Sequence, residues 1–159
     1  MKLLKLGLST CCFLGLAPFA PGTFGTLGGV AIAWALAGSP NYLIWILVLC
    51  ALLYAVGRWC GDWAEEHAGG KDPQFFVLDE VIGYLVTVAW IDGPSLLTLA
   101  MAFLLFRFFD IVKVPPTRRF ERIGGADGIL LDDVVAGIYA FGVLTLARLT
   151  LLEPQSWVH

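Results

Sequence analysis

Long apolar runs dominate this chain, and short segments rich in polar residues, glycine or proline separate them. No charged residue occurs between Lys5 and Arg58. Runs of this kind, bounded by turn-forming residues, predict helices rather than strands when they exceed about ten residues. The predicted helices cover about residues 27–37, 42–60, 79–91, 96–112 and 132–152. The pattern therefore predicts an all-α fold.

The segments between the runs complete this picture. An N-terminal segment, residues 1–24, leads into the motif Pro21-Gly22-Thr23-Phe24-Gly25-Thr26. Residues 38–41 and 92–95 predict turns, and residues 117–131 predict a polar, glycine-rich connection. We expect a single domain over residues 1–159, built as an integral membrane bundle of about five short helices.

Composition supports the membrane interpretation. Of the 159 residues, 58% are hydrophobic and only 14% are charged, whereas soluble domains carry about 25% charged residues. Mean hydropathy is +0.81. The net charge of −3 gives no indication of a nucleic-acid partner.

The distribution of basic residues predicts an orientation. The predicted helices are short, because residues 81–91 hold only 11 uncharged residues and a spanning helix needs about 20. If the helices span the membrane, three segments lie on the same side of it: residues 1–24, 58–79 and 113–131. Nine of the ten Lys and Arg residues lie in or beside these segments, the exception being Arg148. The positive-inside rule makes that side cytoplasmic.

Two acidic pairs, Asp79-Glu80 and Asp132-Asp133, each open an apolar run. A carboxylate beside hydrocarbon is costly, which makes it a candidate functional group. Clustered carboxylate oxygens suit hard divalent cations, above all Mg²⁺. The alternative is that these acids only cap helix N-termini and offset the helix dipole. The match between the two pairs favours a metal site.

Arg107, Asp110 and Lys113 form a third candidate element. Their spacing of three residues places them on one face of a predicted helix. Asp110 is then a further metal ligand, and the two basic side chains would hold a phosphate group. The alternative is an ion-pair ladder that neutralises itself.

The glycine-containing motif at residues 21–29 allows two interpretations. Its backbone N–H groups and the following helix N-terminus would suit an anion, although the motif lacks the Gly-Lys-Ser/Thr ending of a nucleotide P-loop. Close helix packing through small residues is the alternative. Gly83 and Gly137 each follow an acid by about one turn, which suits close approach of two helices. The role of Asp127 stays open between a ligand, a solvated acid and a turn former.

Four motifs together resemble the phosphatidylglycerophosphatase A family of bacterial membrane enzymes. They begin at Pro21, Asp79, Arg107 and Gly124, and the resemblance covers about residues 15–147. Two features depart from the family pattern: Val114 separates Lys113 from the following proline, and Asp127 stands where the family usually has an uncharged residue.

The resemblance implies a magnesium-dependent phosphatase of phospholipid biosynthesis. Its substrate would be phosphatidylglycerophosphate, which loses its terminal phosphate to give phosphatidylglycerol. The implied location is the bacterial cytoplasmic (inner) membrane, with several membrane passes and a site facing the cytoplasm. The implied acidic residues, as catalytic groups or metal ligands, are Asp79, Glu80, Asp110, Asp132 and Asp133. The implied substrate-binding residues are Thr23, Arg107 and Lys113.

On this interpretation a metal-activated water attacks the phosphate. Another lipid phosphate remains an alternative substrate. Two other classes of protein also remain open. An ion-coupled carrier would place its acids near the membrane midplane, and a non-catalytic scaffold would need Asp132 for folding rather than for activity. The sequence leaves the number of metal ions, the general base and the oligomeric state open.

Overall fold

A computed structural model describes residues 2–71, 73–90, 92–115 and 124–151. These residues form six α-helices and no strand, which confirms the predicted all-α fold. A short 3-10 turn, Leu14–Leu16, follows the first helix. The helices are α1 (Lys2–Ser9), α2 (Pro21–Leu36), α3 (Tyr42–Ala68), α4 (Leu78–Thr87), α5 (Leu96–Val112) and α6 (Gly125–Leu151).

The predicted start of the first apolar helix is wrong. Helix α2 begins at Pro21, so the glycine motif lies inside the helix rather than in a loop before it. Proline suits the first helical position because its fixed φ matches the helix and its missing N–H is not needed there. The N-terminal segment also contains the unpredicted helix α1.

The predicted bounds of three other helices need correction. Helix α6 begins at Gly125 rather than Asp132, so part of the predicted glycine-rich connection is helical. Residues 117–123 of that connection lie outside the described residues. Helix α3 continues to Ala68 instead of ending near residue 60, and α4 ends at Thr87 rather than near residue 91. In α3 and α6, glycine residues and a change to polar residues are weak signals of a helix end, because tertiary packing supports the helix there.

Helix α4 is the centre of the bundle. Eight of its ten residues are buried, and its main partners are α6 and α2. A Cβ atom on Gly137 would collide with the backbone oxygen of Gly83, so the two backbones are in direct contact. The predicted close approach at these glycines is confirmed. It also brings Gly83 of α4 against the backbone oxygen of Asp133, in the third turn of α6.

Small residues create two further close helix contacts. On α3, added Cβ atoms at Gly57 and Gly61 would meet Leu130 and Ala126 of α6. Helix α2 approaches α4 in the same way, because Gly29 lies against Tyr84. Close helix contacts at small residues are typical of helices packed in membranes.

The outer surface of the bundle is apolar. Helices α3 and α6 are long and apolar enough to cross a membrane, and only 17% of the most apolar stretch of α3 is buried. A helix that is apolar on its outer face suits a lipid environment. Large exposed side chains on α3 include Ile44, Trp45, Leu47, Val48 and Leu52.

Contacts at one end of the bundle bring together segments that the distribution of basic residues predicts on one side of the membrane. Lys5 Nζ donates to the Trp59 oxygen at 3.2 Å. The Val77 N–H donates to the Ser9 oxygen at 3.0 Å. The C-terminal half of α3, the start of α4 and the N-terminal segment therefore meet at the same end.

The contact of Gly83 with Gly137 leads to a first prediction. Gly137→Ala places a methyl group against backbone, which cannot rotate away, so we expect a loss of about 1–3 kcal/mol in unfolding free energy. Gly142→Ala is the matched control on the same helix, because nothing lies within 4 Å of its added Cβ. The control should gain about 0.5–1 kcal/mol from helix propensity. Thermal unfolding in detergent measures both, and equal midpoints would contradict the contact.

Candidate active site

One cavity collects all five carboxylates that the sequence singled out. Its volume is about 280 Å³, close to the lower end of small-ligand sites, about 300 Å³. Helix α4 contributes its first turn, α5 its last turn and α6 its first three turns. The five acidic residues in the lining are Asp79, Glu80, Asp110, Asp132 and Asp133.

Three of these carboxylates form a compact group. Asp79, Glu80 and Asp133 each offer an oxygen atom, and these oxygens lie within 4.8 Å of one another. Asp79 and Asp133 are buried. Glu80 Oε2 is also buried and accepts no hydrogen bond from any described residue. An all-oxygen donor set with a free buried oxygen fits a hard divalent cation.

Simple capping does not account for the acidic pairs. The residue before α4 is Val77, and no side chain caps that helix through a hydrogen bond. Asp132 lies seven residues after the start of α6, far from its N-terminus. Asp79 still benefits from its place in the first turn of α4, because the helix dipole favours negative charge there.

The other two carboxylates form ion pairs. Arg107 Nη1 lies 2.6 Å from Asp110 Oδ2. Lys113 Nζ lies 2.8 Å from Asp132 Oδ2. The predicted ladder therefore exists only in part, because Lys113 follows the last residue of α5 and its ammonium pairs with α6. Asp132 Oδ1 is buried and has no hydrogen-bond partner in the described chain.

Negative charge exceeds positive charge around the cavity. Glu65 joins the five acids in the lining, while the lining cations are Lys71 and Lys113. With Arg107 included, carboxylates still outnumber cations by six to three. Carboxylates in poor contact with water need compensating charge. A bound cation would supply it.

The glycine motif touches this site at one residue. A Cβ atom on Gly22 would collide with Glu80 Oε1 and lie 3.1 Å from Arg107 Nη1. Gly25 and Gly29 instead pack against α4, through Val77 and Tyr84. The contacts favour the interpretation of close packing over that of an anion loop. Thr23 is half-buried beside Gly22 and does not line the cavity.

Sequence reasoning missed Lys71 and Glu65. Both line the cavity near its glycine-rich edge, where Gly124 and Gly125 also lie. Among the described residues, Lys71 Nζ has no carboxylate within ion-pair distance. The only signal in the sequence is their place in segment 58–79, which the distribution of basic residues puts on the same side of the membrane as the acidic pairs.

Asp127 lies outside the cavity and links two helices. Tyr54 Oη donates to Asp127 Oδ1 at 2.8 Å, and Arg58 Nε lies 3.0 Å from the same oxygen. Both partners belong to α3, so this carboxylate ties the first turn of α6 to α3. The open question about Asp127 is answered by a structural contact between helices.

Comparisons with known proteins agree with this site. The model of the phosphatidylglycerophosphatase A family matches residues 7–148. A Haemophilus influenzae protein named phosphatidylglycerophosphatase A is 37% identical over 127 residues, which cover 79% of this chain and 77% of that protein. The Escherichia coli protein of the same name is 30% identical over 131 residues, covering 82% and 75%.

One further relative carries a different name. A Bacteroides thetaiotaomicron protein named "Putative phosphatidylinositol-3-phosphatase" is 35% identical over 141 residues, covering 84% of this chain and 87% of that protein. No solved structure matches the chain. The family match covers most of the chain, including all five carboxylates of the cavity. This chain therefore belongs to the phosphatidylglycerophosphatase A family, whose members are phosphoric monoester hydrolases.

Proposed function

We propose that this protein hydrolyses the terminal phosphomonoester of phosphatidylglycerophosphate, giving phosphatidylglycerol and inorganic phosphate. The observation that carries the proposal is the cavity in which five carboxylates meet three basic side chains at one end of an apolar bundle. This combination suits a phosphate group and a cation together. The names of two relatives supply the substrate.

We further propose Mg²⁺ as the cofactor, held by Asp79, Glu80 and Asp133. Their short oxygen-to-oxygen distances and the free Glu80 Oε2 support this assignment. When bound, such a cation supplies Lewis-acid stabilisation of the phosphoryl oxygens and makes a water molecule more acidic. Asp110 and Asp132 would then act at the edge of the metal group, where their ion pairs hold them in place.

Basic side chains would orient the substrate phosphate. Arg107 presents a planar set of donors that matches two phosphate oxygens, and Lys113 adds a point charge. Both also contact carboxylates, so they would be shared between the protein and the phosphate. Lys71, at the glycine-rich edge of the cavity, is the best placed to meet the incoming head group. Thr23 remains a predicted helper beside Gly22.

Asp132 is our candidate for the general base. Lys113 fixes its Oδ2, while its buried Oδ1 has no hydrogen-bond partner among the described residues and is available to a water molecule. In the reaction the water oxygen bonds to phosphorus, the bond from phosphorus to the glycerol oxygen breaks, and that oxygen takes up a proton. A positioned carboxylate accepts the proton that the water loses.

The apolar surface supports a multi-pass protein of the bacterial cytoplasmic membrane, formed by a single domain over residues 1–159. We propose that the cavity faces the cytoplasm, because the basic residues concentrate at the same end. The acyl chains would stay in the bilayer beside the helices while the head group enters the cavity. A carrier fits less well, since its acids would lie midway along the helices.

Carboxylate-to-amide variants test the site. Asp79→Asn, Asp132→Asn and Asp133→Asn should each lower the rate of Mg²⁺-dependent phosphate release by about 10²-fold or more. Asp127→Asn is the matched control, because Asp127 is ion-paired like Asp132 but lies outside the cavity. Thermal unfolding should show that all four variants fold. If Asp132→Asn prevents folding while Asp127→Asn does not, the scaffold interpretation gains support.

The substrate is tested in the same assay with two lipids. Phosphatidylglycerophosphate should be hydrolysed faster than phosphatidylinositol 3-phosphate. The reverse order would favour the second candidate, which the name of the Bacteroides thetaiotaomicron relative suggests. If folded protein releases phosphate from neither lipid at any Mg²⁺ concentration, the proposal fails and the carrier becomes the better explanation.

Gly22 provides a test of geometry without a change in charge. Gly22→Ala would push against the carboxylate end of Glu80, a side chain that can move, so we expect a small effect on stability and a large loss of activity. Gly38→Ala is the control, because nothing lies within 4 Å of its added Cβ. The measurement is the catalytic rate together with the unfolding midpoint. Unchanged activity in folded Gly22→Ala protein would contradict the proposed role of Glu80.

Lys71 is tested through substrate binding. Lys71→Ala should raise KM for the lipid phosphate about tenfold, the effect of losing one charged contact, and change kcat little. Lys71→Arg should restore most of the loss. Lys2→Ala serves as a control at an exposed lysine outside the cavity. An unchanged KM in Lys71→Ala would exclude Lys71 from the binding site.

A further inference from the structure

A second cavity lies at the end of the bundle opposite the acidic site. Its volume is about 390 Å³. Trp90, just after the C-terminal end of α4, packs edge to face against Phe141 of α6, with ring centroids 6.2 Å apart. Leu43 and Ala89 add apolar wall, and the charged residues in the lining are Asp92 and Arg148.

Arg148 is held in this cavity by an aromatic ring. Its guanidinium carbon lies 4.8 Å from the centre of the Trp90 ring. Stacking uses the face of the guanidinium and leaves its N–H groups at the edge available. Arg148 makes no hydrogen bond or ion pair with a described residue, although it is the only basic residue at this end of the described chain.

Asp92 and Arg148 line the same cavity without pairing with each other. They form no ion pair within 4.0 Å. Thr145 lines the same cavity, and its buried Oγ1 has no hydrogen-bond partner in the described part of the chain. The separate charges of Asp92 and Arg148 are therefore complementary to a ligand that carries one positive and one negative group.

We propose that this cavity binds a zwitterionic phospholipid, a phosphodiester whose head group carries an ammonium group. Arg148 and the Thr145 hydroxyl hold the phosphate, Asp92 holds the ammonium, and the rings of Trp90 and Phe141 contact the start of the acyl chains. Tryptophan is typical of the membrane interface, where one side of the ring meets lipid and the other meets polar groups. The site is separate from the acidic cavity and independent of the reaction proposed for it.

A purely anionic lipid fits less well, because Asp92 would repel it. Charge complementarity therefore decides between lipids of the same shape but different head group. Short-chain dihexanoyl-phosphatidylethanolamine and dihexanoyl-phosphatidylglycerol make this comparison with the detergent-solubilised protein. The apparent Kd of each follows from the shift of the unfolding temperature with lipid concentration.

We expect the wild-type protein to bind phosphatidylethanolamine more tightly than phosphatidylglycerol. Arg148→Gln should weaken binding of both lipids by about tenfold or more, since it removes the charged contact to phosphate. Asp92→Asn should weaken phosphatidylethanolamine binding and strengthen phosphatidylglycerol binding, because the repulsion is gone. Arg58→Gln, an exposed arginine outside this cavity, should leave both constants unchanged.

Two results would overturn the proposal. Equal stabilisation by both lipids that persists in Arg148→Gln would mean that lipid contacts the bundle without using this cavity. Tighter binding of phosphatidylglycerol in the wild type would mean that the cavity selects anions. Should Arg148→Gln fail to fold, Asp92→Asn decides alone, because Asp92 is exposed and its substitution leaves the packing intact. An unchanged preference in Asp92→Asn would then sink the proposal.

Discussion

The close approach of α4 and α6 at Gly83 and Gly137 is the constraint on which the site depends. Each acidic pair lies about one turn before one of these glycines, so contact between the two backbones brings the pairs together. A larger residue at either glycine would separate the helices and widen the distance between carboxylates. Helix packing therefore favours this contact, whereas repulsion between the carboxylates that it brings together opposes it.

The electrostatic cost of this arrangement is offset unevenly. Asp110 and Asp132 each form an ion pair, whereas Glu80 and Asp133 form none within 4.0 Å with any described residue, and their oxygens lie close to one another and to Asp79. A fold that only needed stability would place apolar residues there, since ion pairs in apolar surroundings add little to stability. The unbalanced group is understandable as a place that a divalent cation completes.

Sequence predicted the fold class and the five carboxylates, because both depend on local signals. A charge-free stretch of 52 residues, from residue 6 to residue 57, leaves few alternatives to membrane helices, and repeated acidic pairs stand out against it. The ion pairs of the site are harder to predict from the sequence. The spacing of Arg107, Asp110 and Lys113 indicates one shared helix face, yet Lys113 pairs with Asp132 on another helix. Helix starts at Pro21 and Gly125 were missed because packing there overrides the turn preference of glycine.

Long-range contacts also explain why the sequence left the role of Asp127 open and gave no role to Lys71. Asp127 is 73 residues from Tyr54, the partner that reveals it as a helix-to-helix contact. Lys71 lies between glycines and a proline, a context typical of ordinary loops. Its place in the cavity lining depends on the wall that α6 supplies, which no local pattern encodes. A loop lysine thus lines the same cavity as carboxylates that all come from helices.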